Sequence, residues 1–396
     1  MRSDPDFAKA RADTPGVENT IHLNAAGAAL MPTPVVEALR SQLDEELAWG
    51  GYEAAERQAG RIADVYRAAA EMLRCEPDEI AFMENATRAW DMAFYALPLK
   101  QGDRILTSVA EYASNYIAFL QVARRTGATV EVVPNDESGQ LSVSRLEEML
   151  DDRVKLVAVT HVPTNGGLVN PACEIGALTR PAGITFLLDA CQSAGQIPLD
   201  VEQIGCDFLS FTGRKYVRGP RGTGILYARR ELAELVEPPL LDLRAATWVS
   251  RAEYELAPAA RRFENWEANI PGKVGLAVAI RYALALGLEA IEHRIGELAD
   301  HLRAGLERLP GVAVRDLGTR RCGIVTFTAA RRVPRELRSR LLEAGVSVWF
   351  SEVPSTRLDM EDRDLEAVVR ASVHYYNTTD ELDRFLGRLE EILCER

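Results

Sequence analysis

A chain of 396 residues contains only five lysines, and one of them, Lys215, lies in "SFTGRKYVRGPRGTG" (210–224), directly after an apolar run. A lysine amine attacks a carbonyl carbon only when it is neutral, and nearby positive charge or partial burial favours that state. A guanidinium cannot do this chemistry, so a lysine retained in an arginine-rich loop is a candidate nucleophile. Just before it, Thr212, Gly213 and Arg214 offer a hydroxyl, an unobstructed backbone N–H and a cation, a set suited to a phosphate dianion.

Four other positions could join such a site. Asp189 ends the apolar run "ITFLLDA" (184–190), where an acid is costly unless paired; it reads equally as the partner of a cationic heterocycle or as a cap. "MENATRAW" (83–90) turns from strand to helix at Ala86 and Thr87, where free N–H groups bind phosphate, although Asn85 or Thr87 could simply cap the helix. Tyr112, in "AEYASN" (110–115), could stack on a planar ligand or fill the core. Arg370, inside "VVRASVHYY" (368–376), needs an acceptor if buried, either a substrate carboxylate or an internal acid.

The elements that would hold these residues alternate. "EIAFMEN" (79–85), "RILTSV" (104–109), "TVEVVP" (129–134), "VKLVAVTHV" (154–162), "ITFLLDA", "DFLSFT" (207–212) and "GILYAR" (224–229) read as strands. Stretches 35–48, 57–74, 114–126 and 172–181 have helical periodicity. This pattern predicts an α/β fold with a mostly parallel seven-stranded sheet covered by helices. Ligands of such sheets bind at the carboxyl ends of the strands, where "ENATR", "EYASN", "THVPTNGG", "DACQ" and "TGRK" stand. From about residue 270 the texture changes to a long helical run broken near Gly287, then short strands and helices. We expect a large domain over 17–270 and a smaller α+β domain over 271–396, with residues 1–16 packing near it.

Composition narrows the function further. The net charge of −13 argues against a nucleic-acid surface, which needs a basic stripe. No run of about 18 apolar residues predicts a membrane span. The charged start lacks a secretory apolar region, so a cytoplasmic location is expected. Six scattered cysteines form no CxxC and no metal-like spacing with the five histidines, so reduced thiols and no metal are expected. "GPRGTG" (219–224) lacks dinucleotide-loop spacing and precedes a strand, which counts against a nicotinamide-dependent oxidoreductase.

Taken in order, "DACQ", "SFTGRK", "GPRGTG" and "RASVHYYNT" resemble the class V aminotransferase superfamily of pyridoxal phosphate (PLP) enzymes. The likeness is to its cysteine-desulfurase-like and isopenicillin N epimerase-like branch and covers nearly the whole chain. It also extends to C–S lyases of ergothioneine and lincosamide pathways. The resemblance implies PLP-dependent transferase fold type I, a homodimer with active sites near the interface, and a small amino-acid substrate. It implies Lys215 as the Schiff-base lysine, Asp189 as partner of the pyridine nitrogen and Gln192 as donor to the phenolic oxygen. Thr212, Arg214, Ala86 and Thr87 become phosphate ligands, and Tyr112 the ring stacked on the cofactor, where the family often has histidine. Thr164 or Asn165 falls near the cofactor, and Arg370 clamps the substrate carboxylate, with Asn24 and Tyr52 as further substrate-side residues.

Two departures refine this expectation. Desulfurases of the branch carry a sulfur-accepting cysteine on a loop before the final arginine strand, and residues 345–369 contain none. Glu267 stands where the family often has a threonine reaching the partner subunit's phosphate; Asn265 or Asn269 could replace that contact. The expected reaction is therefore C–S β-elimination from an S-substituted cysteine rather than persulfide formation. Transamination, epimerisation and decarboxylating oxidative deamination stay open, as does a non-catalytic PLP-fold binding role.

Overall fold

The structure, a computed structural model, describes residues 6–330 and 332–395. Residues 1–5 of the amino-terminal segment expected beside the small domain lie outside the described residues. The seven predicted runs form one sheet: β1 (Ile80–Met83), β2 (Arg104–Ser108), β3 (Thr129–Val133), β4 (Val154–Thr160), β5 (Thr185–Asp189), β6 (Phe208–Thr212) and β7 (Gly224–Ala228). Their order is β1-β7-β6-β5-β4-β2-β3. β7 is antiparallel to both neighbours, and every other pair is parallel. Each parallel step needs a crossover, which helices Ala86–Phe94, Ala113–Thr126, Val143–Met149, Ala172–Thr179 and Val201–Ile204 supply. Residues 213–223 are too few for a crossover, so β6 and β7 pair antiparallel and "GPRGTG" is a turn, not a nucleotide loop.

Both faces of the sheet are covered. Along β4, Leu156 and Ala158 enter one apolar core while Val157 and Val159 enter the other, as the two-residue period of a strand requires.

A second, antiparallel sheet contains β8 (Val312–Val314), β9 (Ile324–Ala329), β10 (Trp349–Glu352) and β11 (Ala367–Ser372), in the order β8-β9-β11-β10. The long helical run divides at Gly287, whose φ of +89° suits glycine, into Ile270–Leu286 and Leu288–Glu307, bent by 79°. The first packs on helices Thr33–Trp49 and Ala59–Leu73; the second packs on Thr379–Cys394. Among the described residues no single helix is long and apolar enough to cross a membrane.

"VSVWFS" (346–351), which reads as one strand, is two. Val346–Ser347 pairs with Ile21–His22, and β10 pairs with β11. The chain changes sheets at Val348, which stays buried, so the apolar pattern gives no sign of the break. β11 likewise stops at Ser372, whose N–H donates to the Leu23 carbonyl (2.8 Å). The "HYY" that follows turns inward instead of extending the sheet.

Candidate active site

Five strand ends supply the candidate residues. Thr160, Asp189 and Ser210 are level across β4, β5 and β6; Thr212, Gly224 and Met83 are level across β6, β7 and β1. Asp189 is buried, and its carboxylate accepts from the Cys191 N–H (2.9 Å) and Asn115 Nδ2 (3.0 Å). Thr212 Oγ1 donates to the Thr223 carbonyl (3.3 Å). Ala86 and Thr87 open the helix Ala86–Phe94. Its Asn85 cap accepts from the Arg88 N–H (2.8 Å), and the first N–H groups of a helix have no partner within it. A Cβ at Gly224 would stand 2.5 Å from the Asn85 carbonyl carbon and 2.8 Å from the Ala86 nitrogen. Only glycine lets β7 approach that turn.

Lys215 lies three residues beyond β6 and is half-buried. Burial is the main cause that lowers its amine pKa, with Arg214 and Arg370 adding to it; Cys191 and Asp189 act the other way. Burial also pushes the Cys191 thiol well above its ordinary value, so at neutral pH it is uncharged. The loop is clamped. The Arg218 N–H donates to the Lys215 carbonyl (3.0 Å), with Arg218 at φ +62°. Its guanidinium donates to the Leu30 carbonyl (2.8 Å), Tyr375 Oη (2.9 Å) and Thr14 Oγ1. Tyr216 stacks on His374 with ring centroids 5.4 Å apart. Arg218 and His374 escape the sequence reading although both lie within quoted motifs, because their work is to brace the loop and not to face a ligand.

Arg370 is buried on β11 and faces the end of β4. Its Nη1 donates to Thr164 Oγ1 (2.5 Å) and to the Thr164 carbonyl (3.3 Å), and its Nε has no partner. No Asp or Glu among the described residues acts on it, and burial lowers its pKa to about 10. A buried guanidinium without an acid is costly, and a carboxylate is the group that it binds bidentately.

The remaining predicted residues divide. Thr164 meets Arg370. Asn165 turns its Nδ2 to Thr356 Oγ1 (2.9 Å) and the Met360 sulfur (3.8 Å), leaving Oδ1 unpaired. Gln192 Nε2 donates to the Ala26 carbonyl (3.1 Å), and its buried Oε1 has no partner. Asn24 Oδ1 is likewise unpaired, and its backbone bridges to Ser372. Arg214 donates to the Gly27 carbonyl, which occupies one of its five N–H donors. Tyr112 is 38% exposed at the start of Ala113–Thr126.

Tyr52 is not gathered with these residues. Its helix Gly51–Arg57 follows Gly50 at φ +88°, and Tyr52, 73% exposed, lines a separate groove of about 570 Å³ with Trp266, Glu267, Asn269 and Lys273. Asn269 caps Ile270–Leu286, whereas Asn265 Nδ2 donates to Glu84 Oε1 (2.9 Å), one residue before the Asn85 cap.

A family model described as Aminotransferase class-V matches residues 21–385. The chain belongs to that family. A probable cysteine desulfurase of Pyrococcus abyssi is 30% identical over 97% of this chain and 96% of its own. The apo structure of a cysteine desulfurase from Thermococcus onnurineus superimposes with a TM-score of 0.91 at 30% identity, covering 99% of each chain. The cystine C–S lyase C-DES, in complex with its product cysteine persulfide, gives 0.86 at 26%, covering 96% and 99%. The class V fold is thus that of fold type I, and this class V enzyme is a PLP-dependent lyase.

The residues present fit pyridoxal phosphate. Gly224, which lets β7 approach Ala86, is level with Thr212, and the buried Gln192 Nε2 carries a second proton beyond the one given to the Ala26 carbonyl. Thr212, Arg214, Ala86 and Thr87 would hold its phosphate, Asp189 and Gln192 its ring, and Lys215 its aldehyde carbon.

Proposed function

We propose that this class V enzyme is a C–S β-lyase acting on an S-substituted cysteine-type amino acid. The observation that carries this reading is the segment before β11. It contains no thiol, and Thr356 and Met360 pack directly on Asn165. A fixed wall replaces a sulfur-accepting arm, so the sulfur leaves with its own substituent as a small thiol.

Bound PLP supplies the electron sink that makes a Cα carbanion accessible. The chain's own residues do the rest. Arg370 holds the substrate carboxylate through its unpaired Nε and so orients the Cα bonds. Lys215, with its lowered pKa, takes the Cα proton. The C–S bond at Cβ breaks with its electron pair going to sulfur, and water converts the remaining fragment to pyruvate and ammonia. Tyr112 covers the site from the solvent side.

We also propose a homodimer. Leu47, Tyr52, Trp248 and Trp266 are 88%, 73%, 73% and 58% exposed, an apolar set that a second copy would bury. Tyr52 and Glu267 would then meet the partner. Sedimentation as a monomer that retains full activity refutes this assignment.

The test of function is incubation of the holoenzyme with a panel of S-substituted cysteines. Pyruvate and thiol in equal amounts are expected. Carbon dioxide with hydrogen peroxide would replace the reading by oxidative decarboxylation, and keto acid formed only with an acceptor would replace it by transamination.

A further inference from the structure

Behind Asp189 lies a second buried acid that the reaction outlined above does not use. Glu111 follows β2 and is 4% exposed. Its Oε1 accepts from Asn115 Nδ2 (2.8 Å), the Tyr112 N–H (3.0 Å) and Thr160 Oγ1. Its Oε2 accepts from Thr107 Oγ1 (3.0 Å) and the Thr160 N–H (3.0 Å). These are five donors and no cation, although a buried carboxyl without a cation is costly. Burial accordingly pushes its pKa up, and the hydrogen bonds from Thr160 and Asn115 oppose that shift.

Asn115 makes the connection. Its single Nδ2 carries two protons; one goes to Glu111 and the other to Asp189 Oδ2 (3.0 Å). Asn115 is itself buried on helix Ala113–Thr126. The same carboxylate also holds the backbone N–H of Tyr112, the residue at the open side of the site. One buried acid therefore fixes two groups at once. Asn115 cannot turn away from Asp189 without leaving Glu111, and Tyr112 cannot shift without losing its own hydrogen bond.

We propose that Glu111 is a positioning residue that acts through Asn115 on Asp189, and through its backbone contact on Tyr112, to fix the tilt of the cofactor ring. This inference rests on Asp189 being the partner of the pyridine nitrogen. Glu111 keeps the Asn115 amide oriented with its donors toward both acids. Outer hydrogen-bond partners of metal ligands commonly carry about 10- to 100-fold in affinity or activity, and an effect of that order is expected for Glu111 behind Asp189.

The experiment compares holoenzyme variants Glu111→Gln, Asn115→Ala, Asp189→Asn and the double variant Glu111→Gln/Asp189→Asn. Cofactor retention on dialysis and the visible circular dichroism of the bound cofactor, which reports ring orientation, are measured. Thermal unfolding of each apo-protein separates ring positioning from loss of fold. Glu111→Gln should weaken cofactor retention about tenfold and change the visible dichroism, with apo unfolding little altered. Asn115→Ala should do the same, and the double variant should lose less than the sum of the single losses, because the two acids act in series. Strictly additive losses, or unchanged dichroism in both Glu111→Gln and Asn115→Ala, would overturn the proposal while leaving Asp189 in its role. An Asp189→Asn enzyme with unaltered retention and dichroism would remove the underlying assignment and this inference with it.

Discussion

Lys215 and Lys273 both have lowered pKa values, and in both burial is the main cause. Their surroundings differ. The Lys273 amine donates to Tyr66 Oη (2.8 Å), and Tyr66 in turn donates to Glu264 (3.1 Å), a carboxylate that also receives Arg244 and Arg261. Lys215 is affected by its neighbours through burial and charge alone. The same contrast separates two buried arginines. Arg303 is paired with Asp316 (2.8 Å) and Asp300 (3.1 Å); burial alone would lower its pKa, but those acids raise it. Among the described residues Arg370 has no acid, and burial lowers its pKa to about 10. Burial marks neither function nor scaffold. What distinguishes them is whether the protein itself supplies the partner.

The sharpest way to break this contrast is to exchange the lysines' fates. Lys215→Ala should abolish the visible absorbance of bound cofactor and all measurable turnover; loss of the general base alone is worth about 10²–10⁴-fold. Lys273→Ala should keep the absorbance. If spectra of the two variants match, the distinction fails.

Arg370→Ala comes next. Loss of a hydrogen bond to a charged group costs about 1.5–3 kcal/mol, so kcat/KM for the amino acid should fall by about 10- to 100-fold, mostly through KM. Apo-protein unfolding should move little, because no acid is left unpaired. Arg303→Ala should do the reverse, since it strands Asp316 in the core.

A pH effect distinguishes Lys273 further. Its pKa in the folded chain is about 8 against an ordinary 10.5. Between those values the unfolded chain binds the extra proton, so stability rises with pH across that window. Below it, both states are protonated and the cost of burying the charge is fully present. Urea unfolding at pH 7 and pH 10 should show wild type gaining relative to Lys273→Met; a constant difference would contradict the burial of a titrating amine.

The smallest effect is expected at the wall. Thr356→Val removes one hydrogen bond to Asn165 and should cost about 1 kcal/mol in apo-protein stability, with product identity unchanged. Sulfur bound to the enzyme in the wild type would overturn the reading that it leaves as a small thiol.

Much of this arrangement is legible in the chain itself. Six of the seven runs of the main sheet are visible because they are largely buried on both faces and apolar over most of their length; Thr129–Val133, at the sheet edge, is only partly buried and shows through its β-branched residues. The residues ending those runs are visible because polar groups there break the pattern. Glu111 and Asn115, by contrast, lie inside the quoted "AEYASN", where only Tyr112 stands out from the sequence. Their meaning depends on Asp189, 74 positions beyond Asn115. The split of "VSVWFS" is hidden for a similar reason, since both halves are β-formers and only their partners differ.

The sequence by itself determined the chain order of the main-sheet strands and their helices, the lysine in its loop, and the absence of a cysteine before β11. These follow from local periodicity and residue chemistry. The tertiary structure alone decided which buried charges have partners: Lys273 but not Lys215, Arg303 but not Arg370. Pairing depends on side chains brought together from distant positions, and a charge left without one is recognised only when every neighbour is in place.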